Sequence, residues 1–114
     1  MPVIETAAFR EVNNGVLAGM DNRLASEQYP GLYWSSLEWD EPYPGGESPR
    51  QFFERISAAW HDFRAAIREM DRNTLLVTHT GVIQAIQCIE HGVAYSNKTT
   101  PFPVRHAETI AVTL

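Results

Sequence analysis

Cysteine is nearly absent from this 114-residue chain: Cys88 stands alone. A single thiol excludes an internal disulfide and any cysteine-based zinc site. Basic residues are also scarce, nine Lys and Arg against fourteen Asp and Glu, and 9 − 14 gives a formal net charge of −5. A face built to hold a nucleic-acid backbone needs the opposite balance, so nucleic acid is excluded as a partner. No apolar run reaches the length of a membrane span, and the N-terminus shows no charged-then-apolar leader, so a membrane is excluded as well. Repeats and low-complexity tracts are missing, which removes solenoids and linkers. The expectation is one cytoplasmic domain spanning residues 1–114, with 44% hydrophobic residues to build a core.

The clearest pattern runs from Ser48 to Met70. Phe52, Phe53, Ile56, Trp60, Phe63, Ile67 and Met70 recur at three- and four-residue spacing, which places them on one face of a helix. Ser48 suits the N-cap, Pro49 the first helical position, and Gln51 the return bond of a capping box. Thr74-Leu75-Leu76-Val77-Thr78 reads as a buried strand, followed after His79-Thr80-Gly81 by a second helix that stops at Gly92. Alternation from Glu108 to Leu114 predicts a terminal strand, Pro2-Val3-Ile4 a short one, and Met20 to Tyr29 a short helix. Helix, strand, helix, strand is the rhythm of an α/β layered domain. Between Tyr29 and Gly46, aromatic residues and prolines predict a structured surface loop that covers a pocket.

His79 is the most informative residue. It sits where a strand ends and a helix begins, the place at which α/β proteins bind anions on free helical N–H groups. The plain alternative is a histidine that only caps the helix. Glu11, beside a glycine-closed turn, is a candidate general acid; its plain alternative is an ordinary surface carboxylate. His106 precedes the terminal strand and is within reach of the same crevice, whereas His61 and His91 suit solvent and a helix C-terminus. No pair of histidines has metal-ligand spacing, and Cys88 falls where packing is its default role.

Three segments together resemble the histidine phosphatase superfamily, the phosphoglycerate mutase-like proteins. Leu75-Leu76-Val77-Thr78-His79-Thr80-Gly81-Val82-Ile83 resembles the family's second histidine motif. Phe9-Arg10-Glu11-Val12-Asn13-Asn14-Gly15 resembles the segment that holds its proton-donating acid. Gly45-Gly46-Glu47-Ser48 with Phe52 and Arg55 is similar to its turn into a long helix. The resemblance implies a three-layer α/β/α phosphoglycerate mutase-like fold, truncated at the N-terminus. It implies Glu11 as acid and His79 as a stabiliser of phosphoryl charge. Thr80, Gly81, Trp34, Trp39, Tyr43 and His106 are then substrate contacts, with packing as the other role open to the three aromatic residues. The implied ligand is a phosphorylated small molecule or phosphate-like anion, and no cofactor or metal is implied.

The family's opening strand ends in Arg-His-Gly, whose histidine is the phosphorylated nucleophile. These 114 residues contain no such sequence, no match for a further family arginine, and Gln84 where relatives often carry arginine. The chain by itself is therefore expected to be nearly inactive as a phosphatase or mutase. The other reading is a non-catalytic remnant that binds an anion or a partner. Loss of the opening strand also predicts an unpaired edge at Leu75 to Thr78, with homo-oligomerisation or strand exchange as its consequence.

Overall fold

The computed structural model describes residues 3–70 and 72–113. Its regular elements are helix α1 (Asn22–Gln28), helix α2 (Pro49–Arg68), helix α3 (Thr80–His91), and two 3-10 turns at Gly15–Leu17 and Trp34–Ser36.

Helix α2 starts as its sequence dictates. The Ser48 side chain accepts from Gln51 N–H, and the Gln51 side chain accepts in return from Ser48 N–H, with Pro49 at the first turn. Its twenty residues extend ~30 Å at 1.5 Å per residue. Phe52, Ile56 and Trp60 are buried on one side, where they meet Val82, Ala85 and Ile86 of α3 and Phe9 from the N-terminal loop. Farther along the stripe, Phe63 and Ile67 are half-buried and Met70 is exposed, so the helix leaves the core as it nears its end. Two polar contacts lock the pair of helices: Glu90 Oε1 accepts from Trp60 Nε1 at 2.7 Å and from Arg64 Nη1 at 2.9 Å. Helix α3 ends at Gly92, whose φ of 65° is the left-handed conformation that glycine adopts most cheaply. Buried Cys88 packs on its inner face.

The loop from Tyr29 to Gly46 is held by aromatic packing. Trp34 stacks on Tyr43 and meets Phe52 edge-on, while Trp39 tilts against Phe53 and Tyr95. Asn97, buried beyond α3, donates from Nδ2 to the carbonyls of Trp34 and Leu37 and so fixes the loop to the C-terminal third. Gly15 has a φ of 57°, and a Cβ there would collide with the Pro44 carbonyl, which itself accepts from Val16 N–H.

The expected three-layer α/β/α architecture is not formed. Among the described residues there is no strand: the Thr74–Thr78 run, the 108–113 segment and Val3-Ile4 are non-helical chain without a ladder. Pro2 and Leu114, parts of two of those expected strands, lie outside the described residues. The physical reason is pairing. Alternating apolar residues favour an extended backbone, but a strand exists only when a neighbour at ~4.8 Å completes its hydrogen bonds. No backbone N–H or C=O of residues 73–78 is hydrogen-bonded among the described residues. Nor is the run buried as expected, since Leu75 is 71% exposed and Val77 83% exposed.

Burial along α2 sets the cost of truncation. Ile56→Ala is expected to lower unfolding free energy by ~2–5 kcal/mol, because it opens a cavity where α2 meets α3. Met70→Ala, at an exposed site, should change it by less than ~0.5 kcal/mol. Urea unfolding followed by circular dichroism checks both values.

Candidate functional site

Arg55 organises this region. It lies on α2 between Phe52 and Ile56, and its guanidinium is largely withdrawn from water, with a side-chain exposure of 18%. Nε and Nη2 hold the two oxygens of Glu47 at 2.9 Å each. Nη1 donates to the carbonyls of Ala8 and Arg10, and Nη2 to that of Glu11. All five guanidinium N–H groups are thereby used, which is what a cation removed from water requires. Burial opposes ionisation of Glu47, but the Arg55 hydrogen bonds, the Asn13 N–H and the charges of Arg55 and Arg10 outweigh it. Its carboxyl is held below the usual carboxylate range.

The clamp sets the path of residues 8–11, and Glu11 follows from it. Its Oε2 accepts from Gly81 N–H at 3.0 Å, across 70 residues of sequence, and its Oε1 from Val12 N–H at 3.1 Å. Gly81 belongs to the first turn of α3, so the carboxylate rests on the positive end of that helix. Glu11 is thus half-buried and committed to one place rather than an ordinary surface carboxylate. A Cβ at position 81 would stand 2.5 Å and 2.8 Å from the two Glu11 oxygens, so a larger residue there displaces that carboxylate. Two phenols feel the same negative charge. Burial first, and Glu11 second, push the Tyr43 and Tyr95 hydroxyls up, so both are neutral hydrogen-bonding groups.

His79 is the N-cap of α3, two residues before Gly81, yet its side chain makes no capping hydrogen bond. The imidazole is exposed, and Glu11 occupies the capping role in its place. His79 and Thr80 line a cleft of about 600 Å³ that His106 also lines. Sequence neighbours of His79 and the distant Glu11 are therefore brought together at the start of α3. Glu11, Gly81, Trp34, Trp39 and Tyr43 are not among the residues lining that cleft; the three aromatic rings pack between the loop and α2. His61 is exposed on α2, and His91 stacks on Phe102 with ring centroids 4.8 Å apart. Among the described residues, no group of three or more His, Cys, Asp or Glu is placed to hold a metal ion.

One contributor escapes a reading by motif. Tyr95 follows the second helix in a stretch without periodicity, and only its stacking on Phe53, at 4.8 Å, reveals it. Arg55 and Glu47 belong to the turn that resembles the family's, but nothing in that motif announces their ion pair or the hold of Arg55 on residues 8–11.

A carboxylate fixed on a helix N-terminus and an imidazole that makes no capping bond are groups that can accept and give protons. The family follows from comparison of the whole sequence. Residues 1–113 match the histidine phosphatase superfamily (branch 1), and the chain belongs to that family. No curated protein matches it. Among the described residues, no helix is long and apolar enough to cross a membrane.

Gly81→Ala tests the Glu11 contact by its sign. Alanine in the first turn of a helix normally stabilises by ~0.4–1 kcal/mol. Here it should destabilise, because the Glu11 carboxylate must move, and in a Glu11→Ala background the stabilising sign should return. A double-mutant cycle of thermal unfolding measures this.

The Glu47 shift fixes a pH dependence. Its folded-state carboxyl titrates below its unfolded value, so the stabilisation is complete above the unfolded pKa, ~4.3, and is lost as pH falls through the lower folded value. Glu47→Gln should be less stable at neutral pH and should lose less stability on acidification, as read by denaturant midpoints across pH 7 to ~3.

Proposed function

We propose that this chain carries the acid and charge-stabilising half of a phosphomonoester hydrolase that works through a phosphohistidine. The observation that supports it is the Glu11 carboxylate set on Gly81 N–H, two residues from an uncapped His79. In the first step a histidine nitrogen attacks phosphorus, the P–O bond to the leaving group breaks, and Glu11 gives its proton to the departing oxygen. In the second, water attacks phosphorus, the P–N bond breaks, and the Glu11 carboxylate takes the water proton. His79 and the Thr80 N–H stabilise negative charge on the phosphoryl oxygens in both steps, while the Gly81 N–H keeps hold of Glu11.

The nucleophile is proposed to come from an Arg-His-Gly segment outside these 114 residues. The chain's four histidines are His61, His79, His91 and His106, and none lies in such a sequence. Hydrolysis is preferred to mutase chemistry because the short aromatic loop at 29–46 is closer to the phosphatase-like members. The substrate class is a phosphorylated small molecule, and His106 reaches it from the opposite wall of the cleft. A buried free thiol at Cys88 accords with a reducing, cytoplasmic setting.

The test is turnover of p-nitrophenyl phosphate. The chain alone should show none above buffer. Joined to an N-terminal segment of a catalytic family member that ends in Arg-His-Gly and its following helix, it should gain turnover. Glu11→Gln in that fusion should lower kcat by ~10²–10⁴, the usual contribution of a general acid. Turnover by the chain alone that disappears in His79→Ala would instead make His79 the nucleophile. A folded but inactive fusion would leave a non-catalytic, anion-binding role.

A further inference from the structure

The turn at residues 13–17 takes no part in lining the cleft, and it combines a reactive pair with a geometry that opposes the reaction. The sequence contains one Asn-Gly dipeptide, Asn14-Gly15. Glycine after asparagine lets the main-chain nitrogen approach the side-chain amide, because no Cβ stands in the way. The fold requires that glycine, since its φ is 57° and a Cβ would collide with the Pro44 carbonyl and the Gly46 nitrogen. Asn14 itself has φ −89° and ψ 13°, the bridge conformation found in type I turns, which directs the Gly15 nitrogen away from the Asn14 side chain. That nitrogen donates its hydrogen to Asn13 Oδ1 at 2.9 Å, and the Asn14 carbonyl accepts from Leu17 N–H at 3.1 Å. Both flanks are tied to residues 44–47. Val16 N–H donates to the Pro44 carbonyl, Asn13 N–H to Glu47 Oε1, and Glu47 N–H to the Asn13 carbonyl.

We propose that Asn14 is a site of spontaneous deamidation that the folded turn keeps shut, so that it reacts only when residues 13–17 open. In the open turn the Gly15 amide gives its proton to hydroxide, and its nitrogen attacks Asn14 Cγ. A C–N bond forms there, the bond from Cγ to the side-chain nitrogen breaks, and ammonia leaves with a proton taken from water. Water then adds to one carbonyl of the resulting succinimide, and the adjoining C–N bond of the ring breaks. Addition at Cγ gives aspartate. Addition at the main-chain carbonyl gives isoaspartate, which lengthens the backbone by one carbon. Either product places a carboxylate at position 14. The longer backbone cannot keep both the Asn13–Glu47 pairing and the Val16–Pro44 bond in register, so isoaspartate loosens the grip of Glu47 on Arg55. None of this depends on the chemistry assigned to Glu11 and His79.

The test is a time course of the full chain at mildly alkaline pH, with and without denaturant, read by peptide mass mapping and by isoaspartyl methyltransferase labelling. In denaturant the peptide holding Asn14 should gain the mass difference between amide and acid, with fragmentation placing the change at Asn14. In the folded chain the same conversion should run about tenfold or more slowly, because it follows the population of the open turn. Asn13→Ala removes the acceptor of the Gly15 N–H and leaves the main-chain contacts to Glu47. It should speed conversion in the folded chain by ~3–10-fold and leave the rate in denaturant unchanged. Equal rates in the folded and denatured wild type, or no conversion at Asn14 in denaturant, would overturn the proposal. So would a folded Asn13→Ala chain that converts no faster than the wild type. Should that variant fail to fold, as circular dichroism would show, the wild-type comparison decides alone.

Discussion

The Arg55 guanidinium is the contact on which the remaining geometry depends. It joins α2 to a segment 44 to 47 residues away through three main-chain carbonyls, and closes its charge on Glu47. A lysine has three donors on a point charge and could not reproduce a planar fork that spans a carboxylate and three carbonyls. Because residues 8–11 are fixed there, Phe9 enters the core against Phe63, and its carbonyl accepts from the Thr78 hydroxyl at 2.6 Å. The same tether brings Glu11 to α3. One buried cation thus positions a core residue, the end of the 74–78 run, and the candidate acid.

Such a cation is costly unless its partners are complete, and the surrounding polar groups show how that is met. Glu47 is 14% exposed and also accepts from Asn13 N–H, so the ion pair is hydrogen-bonded on both sides. Glu47 N–H donates to the Asn13 carbonyl, and Tyr43 N–H to the Glu47 carbonyl, which carries the order outward into the aromatic loop. Tyr43, which is buried, and Tyr95, which is half-buried, then supply neutral phenols near Glu11. A negative charge there is balanced by the helix end, and the His79 side chain makes no capping hydrogen bond.

Helices were legible in the sequence because their signals are local. The Ser48–Gln51 capping box, the 3.6-residue stripe and the Gly92 stop each act within a few residues, and each is found where it was read. The short helix read at Met20 to Tyr29 forms as Asn22–Gln28, begun by the Asp21 side chain accepting from Leu24 N–H. The meeting of Glu11 with the start of α3 was legible only through resemblance to a family, since no periodicity links positions 11 and 81. Trp34, Trp39 and Tyr43 show the converse. Their composition suggested a pocket wall or packing with equal force, and the rings turn inward onto Phe52 and Phe53.

The strands failed for a reason that concerns pairing, not propensity. Thr74 to Thr78 has the apolar, partly β-branched character of a buried strand, yet only Leu76 packs on the core while Leu75 and Val77 are exposed. Propensity on this scale reports how well a side chain suits a pleated, half-covered surface, and it is silent on whether the neighbour exists. Helices supply their own hydrogen-bond partners and therefore form from local sequence; a strand borrows them from a distant part of the chain or from another molecule. α2 and α3 cover one side of this run, and Phe9 secures its end through Thr78, but neither offers main-chain donors along its length. A non-helical run without main-chain pairing is thus what forms here, because among the described residues no neighbouring backbone meets its N–H and C=O groups.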